Sequence, residues 1–114
     1  MKKIVTVLLS LSVILPTVAK AANDYQTSDR KLNETYSALL KKVSPQGGIR
    51  LRQAEQAWIA YRDAQCTFLT FQSGGYSAEP QARAQCLTRL TRLQTWLLDE
   101  QLHCKEGDIG CGQQ

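Results

Sequence analysis

The stretch AWIAYRDAQC, Ala57–Cys66, sets two aromatic rings, an adjacent arginine–aspartate pair and a cysteine within ten residues. On a helix Arg62 lies four residues from both Trp58 and Cys66, so the three stack along one side. Asp63, three residues from Cys66, brings the cysteine over both charges. Neighbours in sequence diverge around a helix, so Arg62 and Asp63 are not expected to face each other. If Cys66 is bonded to Cys86, two helices are pinned here, with Arg83 and Arg89 one turn to either side of Cys86. Asp63 is then expected to reach across to one of them, Arg89 by preference. Trp58 and Tyr61 are expected to bury large ring areas in a core short of big residues. This reading makes the decapeptide a helix–helix junction rather than a catalytic centre.

Working outward, the decapeptide sits inside an expected helix from about Ile49 to Phe71. Leu51, Ala54, Trp58, Tyr61, Gln65 and Phe68 form its inward side; Arg52, Glu55 and Gln56 lie outside. Upstream, SPQGG (44–48) reads as a break. Before it, Leu32, Tyr36, Leu39, Leu40 and Val43 recur in steps fitting one helix face, with Ser28 or Asp29 as cap and residues 22–27 loose. Downstream, SGGYSAEP (73–80) is the next break, with Ser77 as N-cap and Pro80 in the first turn. A third helix then carries Ala82, Cys86, Leu90, Leu93 and Leu97 and ends near Leu102–His103. No strand alternation, repeat or low-complexity tract appears. The expectation is all-α: a small antiparallel three-helix bundle.

The chain opens MKKIVTVLLSLSVILPTVAKA, a basic start, an apolar run and the small-x-small triplet Ala19-Lys20-Ala21. That is the pattern of a secretory leader, residues 1–21, cut after Ala21. The apolar run is short for a membrane span, which needs roughly 20 residues. No cysteine follows the cut to take a lipid anchor. The remaining 93 of 114 residues suffice for one domain, a helical body at 22–104 and a tail at 105–114. The formal charge of +4 includes Lys2, Lys3 and Lys20, so the mature part carries eleven basic against ten acidic residues. A charge near +1 gives no case for nucleic acid or an anionic membrane.

All four cysteines lie in the mature part. An even count in a small exported protein reads as two disulfides, and three pairings are possible. Spacing favours Cys66–Cys86 and Cys104–Cys111, the latter closing CKEGDIGC. No metal-ligand spacing accompanies them. His103, with Asp99 and Glu100 one turn before it, reads as a complement to a helix C-terminus rather than a ligand cluster. Glu55 and Asp63 stand about 12 Å apart along a helix, too far for most paired-carboxylate chemistry. A Cys–His nucleophile needs a free thiol. Neither catalysis nor a cofactor or metal is expected.

LNETY (32–36), AEQAWIAYRDAQC (54–66), GGYS (74–77) and CLTRLT (86–91) resemble the lysozyme-inhibitor LprI-like family of small secreted bacterial proteins. The likeness runs over residues 29–102. It implies a helical, exported protein with motif positions at Trp58, Tyr61, Arg62, Asp63, Cys66 and Cys86, and it supports the Cys66–Cys86 pairing. Many relatives carry further cysteines before the LNxxY element, which are absent here. Relatives also tend to carry arginine where this chain has Gln94. A motif carboxylate is then expected to find its cation in Arg89 or Arg92.

The resemblance implies a binding protein of the bacterial periplasm or exterior that blocks the peptidoglycan-cleaving cleft of lysozyme. A blocker needs a protruding element with hydrogen-bonding groups and an aromatic anchor. QSGGYSAEP (72–80) fits, tethered at both ends by the 66–86 bridge, with Tyr76, Ser77 and Glu79 as candidate contacts. The plain alternative is a turn whose glycines merely allow the chain to reverse. A near-neutral mature charge supplies no steering towards cationic lysozymes. A second class of function is an envelope adaptor or stress protein gripping another exported protein through the outer face of the first helix. Exposed apolar residues there would favour it.

Overall fold

The computed structural model describes residues 14–71, 79–105 and 107–111. Among them are three helices and no strand: α1 (Ile14–Lys42), α2 (Pro45–Thr70) and α3 (Glu79–His103). Ala21 lies beside Thr88, and Lys42 Nζ donates to the Leu102 carbonyl at 3.1 Å, so α1 and α3 run in the same direction. Glu55 meets Gln94, and Cys66 meets Cys86, so α2 runs against both. The bundle expected from sequence is present, as an up-down-up arrangement.

Two boundaries differ from expectation. Residues 22–27 are helical, and Ser28 and Asp29 lie well inside α1 rather than capping it. Nothing between Ala21 and Asp29 breaks a helix. Lys20 and Asp24 pair one turn apart at 2.8 Å, and the Ser28 hydroxyl donates to the Asp24 carbonyl at 2.8 Å. The second helix starts four residues early: Ser44 is its N-cap, accepting from the Gly47 amide at 3.0 Å, and Pro45 fills N1. The glycine pair 47–48 is therefore first-turn helix, not connection. Pro80 falls in the first turn of α3 as read; Ser77 lies outside the described residues.

Two inward faces also differ. On α3 the buried positions are Cys86, Thr88, Thr91, Thr95 and Leu98, whereas Leu93 and Leu97 are about half exposed. Thr88, Thr91, Thr95, Leu98 and Leu102 step by three and four residues, a seam concealed by its threonines. Two of those hydroxyls satisfy themselves within the helix: Thr88 donates to the Ala84 carbonyl at 2.8 Å and Thr95 to that of Thr91 at 2.9 Å. Their methyl groups are left to pack. On α2 the buried positions are Gly48, Glu55, Arg62, Cys66 and Thr70, so Glu55 is inside and Tyr61 and Phe68 are outside. The helix turns its charged pair inward because both charges find partners there.

The apolar core occupies one half of the bundle. Leu32, Leu39 and Leu98 form its buried centre, with Tyr36, Val43, Leu51, Trp58 and Leu102 packed around them. Burying each such leucine is worth roughly 1.5–3 kcal/mol. The Cys66–Cys86 bond lies in the other half, with Cα atoms 5.7 Å apart and a sequence separation of 20. A loop of that size gives a stabilisation of about 3 kcal/mol in the chain-entropy model. Cys104–Cys111 closes the tail against the end of α3, where Gln101 Nε2 donates to the Gly110 carbonyl at 2.7 Å. Gly107 supplies the one positive φ among the described residues, 89°, inside this turn.

Candidate functional site

The decapeptide encloses Arg62, whose side chain is only 8% exposed. Its Nε donates to Asp63 Oδ1 at 2.9 Å, and Nη1 lies 3.6 Å from Asp29 Oδ1 on α1. Nη1 also donates to the Thr91 hydroxyl of α3 at 3.4 Å. The guanidinium carbon sits 5.1 Å from the Trp58 ring centre and 5.6 Å from that of Tyr25, within cation–π reach of both. One cation thus touches all three helices. Only a planar fork with five donors can serve a carboxylate on each side, a hydroxyl and two ring faces together. The two carboxylates are each nearly half exposed, so they keep much of their hydration while neutralising the buried charge. Burial pushes the Tyr25 phenol above its ordinary range, and the neighbouring Arg62 charge opposes that rise.

Asp63 therefore pairs with its neighbour Arg62 and not with Arg89. The long arginine arm curls back along the helix, overcoming the divergence of adjacent positions. Arg83 instead donates to the Thr67 hydroxyl at 2.9 Å, and Arg89 is exposed, lining an open groove with Ala21, Asp24 and Thr88. Trp58 is half-buried on the arginine, whereas Tyr61 is 56% exposed and leaves most of its ring in water. Nor does the inward carboxylate on α2 use Arg89 or Arg92. Gln94 itself donates from Nε2 to Glu55 Oε2 at 3.2 Å. Burial raises the Glu55 pKa above the ordinary carboxylate range, against the lowering by Gln94 and Arg62.

Sequence reading missed Tyr25, Asp29 and Thr91. Extending the three-and-four spacing of α1 upstream from Leu32 through Ser28 to Tyr25 would have found the first. Of the candidate binding residues, Tyr76 and Ser77 lie outside the described residues, and Glu79 stands exposed in the first turn of α3. His103 Nδ1 lies 2.9 Å from the Asp99 carbonyl and 3.5 Å from its carboxylate, at the end of α3. Among the described residues no three His, Cys, Asp or Glu side chains gather as a metal site. No described helix is long and apolar enough to cross a membrane.

The family model described as lysozyme inhibitor LprI matches residues 16–104. The chain belongs to this family. The LprI match covers α1, α2 and α3, hence the Arg62 junction and the 66–86 bridge. An uncharacterised protein, R02472, of Rhizobium meliloti (strain 1021) is 33% identical over 99 residues, covering 75% of this chain and 71% of the relative. No solved structure matches. The family is described as one of lysozyme inhibitors.

Proposed function

We propose that this LprI member is exported, loses residues 1–21, and inhibits lysozyme by placing the α2–α3 connection in the peptidoglycan-hydrolase cleft. Family membership supports the target class. The single structural observation behind the mode of action is the bridge at the base of that connection. Cys66 and Cys86 fix the two stems that carry residues 72–80, so less ordering cost remains for binding. Glu79, exposed at the start of α3, supplies an acidic group to a cationic enzyme. Tyr76 and Ser77 are the proposed aromatic anchor and hydrogen-bonding contact. Two disulfides suit an oxidising compartment such as the periplasm. The adaptor reading through α1 gains no support, since the large exposed apolar side chains of the described helices are on α2 and α3.

The test is a titration of the purified oxidised protein against lysozymes of several classes. At least one class is expected to lose activity at micromolar excess. Replacing Tyr76 and Ser77 by alanine is expected to weaken inhibition about tenfold or more while leaving the melting temperature unchanged. If no class is inhibited, the reading fails. If inhibition survives the double replacement, the contact lies elsewhere on the bundle.

A further inference from the structure

α2 has a second patterned face. Opposite Glu55, Arg62 and Cys66, the residues Ala54, Ala57, Tyr61, Ala64, Phe68 and Phe71 follow in steps of three, four, three, four and three. Every one of them is exposed. Tyr61 is 56%, Phe68 66% and Phe71 64% exposed, and the two phenylalanine rings stack with centres 6.4 Å apart. This is the a/d spacing of a coiled-coil seam, on the side of the helix that none of the described residues covers.

The order of sizes specifies what can cover it. Read along the chain the seam is small, small, large, small, large, large. Read backwards it is the same series with every size exchanged. Laid antiparallel on a second copy, about a two-fold axis between Tyr61 and Ala64, it sets Ala54 against Phe71, Ala57 against Phe68 and Tyr61 against Ala64. Every layer then holds one ring and one methyl group. Each a position meets a d position, as opposed helices require. A parallel pairing would stack Tyr61 on Tyr61 and Ala64 on Ala64, leaving every layer either overfilled or hollow. The flanks agree: Gln53, Ala60 and Thr67 on one edge, Trp58 and Gln65 on the other, carry no charge. A two-fold axis brings like edges together, and neutral edges do not repel. From these observations we infer that the outer face of α2 is the interface of an antiparallel, two-fold symmetric dimer of this chain. The two Phe71 residues then lie about 26 Å apart along the seam, at 1.5 Å per residue. The C-terminal ends of the two α2 helices then point to opposite ends of the dimer.

Sedimentation equilibrium of the oxidised protein, expressed from the full chain and purified as the exported product, tests this. The expected mass is that of a dimer at micromolar concentration. Ala64→Glu, a change at an exposed position, is expected to give a monomer with unchanged circular dichroism. Tyr61→Ala and Ala64→Tyr each spoil the central layer and are expected to weaken the dimer about tenfold or more. Together they exchange ring and methyl, and the double variant should recover native dimer affinity. A native protein that stays monomeric overturns the proposal, as does a dimer indifferent to Ala64→Glu. A double variant no tighter than either single one overturns the antiparallel register. These readouts need no lysozyme, so they stand or fall apart from inhibition.

Discussion

The two halves of the bundle are held by different physics. In one half Leu32, Leu39 and Leu98, ringed by Tyr36, Val43, Leu51 and Leu102, give a non-directional apolar core. In the other, Ser28, Thr88 and Thr91 leave little hydrocarbon to bury, and the helices are joined by Arg62 and a disulfide. Leucines tolerate volume-conserving exchange, usually for less than about 1.5 kcal/mol. A guanidinium that serves three helices does not, because its partners are placed by angle as well as distance. The polar half is the one next to the α2–α3 connection. That junction fixes how the adjoining ends of α2 and α3 stand against α1.

The strongest way to break the contrast is Arg62→Ala. It removes the cation from between Tyr25 and Trp58 and leaves Asp29 and Asp63 facing a cavity. Loss of a buried charge partner costs about 3–5 kcal/mol, and the lower end applies here because both carboxylates can regain water. Thermal and denaturant unfolding should show a loss of about 3 kcal/mol. Arg62→Lys should recover only part of it, since a point charge cannot reach both acids and Thr91 together. If lysine restored full stability, the junction would be simple charge neutralisation and the two halves would differ less than the contacts imply.

A smaller effect tests the close packing of the same half. Thr91 is fully buried between the helices and accepts from Arg62. Thr91→Leu adds hydrocarbon where no room exists and removes the hydroxyl. Unfolding measurements should show a loss of about 1–3 kcal/mol, despite the gain in apolar surface. A stabilised variant would mean that this half accepts an ordinary apolar core.

The same division explains how much could be read in advance. Leu32, Leu39, the three helices and both cysteine pairs were legible, because apolar periodicity and cysteine spacing act through composition. The inward faces of α2 and α3 were not. A helix reading assumes that apolar residues point inward, and here Glu55, Arg62, Thr88, Thr91 and Thr95 do so instead. Each is admitted by a partner that sequence does not reveal: Gln94 for Glu55, Asp29 and Asp63 for Arg62, Arg62 for Thr91, a carbonyl one turn back for Thr88 and Thr95. Once those polar groups turn inward, Tyr61 and Phe68 must turn out. The outward aromatic seam of α2 is therefore a consequence of its buried charges.

Glu55 sits where the halves meet and gives the subtlest test. Burial raises its pKa more than Gln94 and Arg62 lower it, and Asp29 adds to the rise. Such a carboxyl holds its proton more tightly folded than unfolded. In acid, below the unfolded value, both states are protonated and no penalty exists. The penalty develops as pH rises from there through the folded value and is complete above it. Glu55→Gln deletes the charge and keeps an amide able to accept from Gln94. The variant should therefore melt higher than the native protein at neutral pH, and the difference should close on acidification. A difference independent of pH would place its cause in packing rather than ionisation. Gln94→Arg is the complementary change, because a cation beside Glu55 favours the ionised form. It should stabilise at neutral pH only while Glu55 is present, so the double variant with Glu55→Gln should lose that gain. If Gln94→Arg stabilises equally in both backgrounds, the carboxylate is not the partner that matters at this boundary.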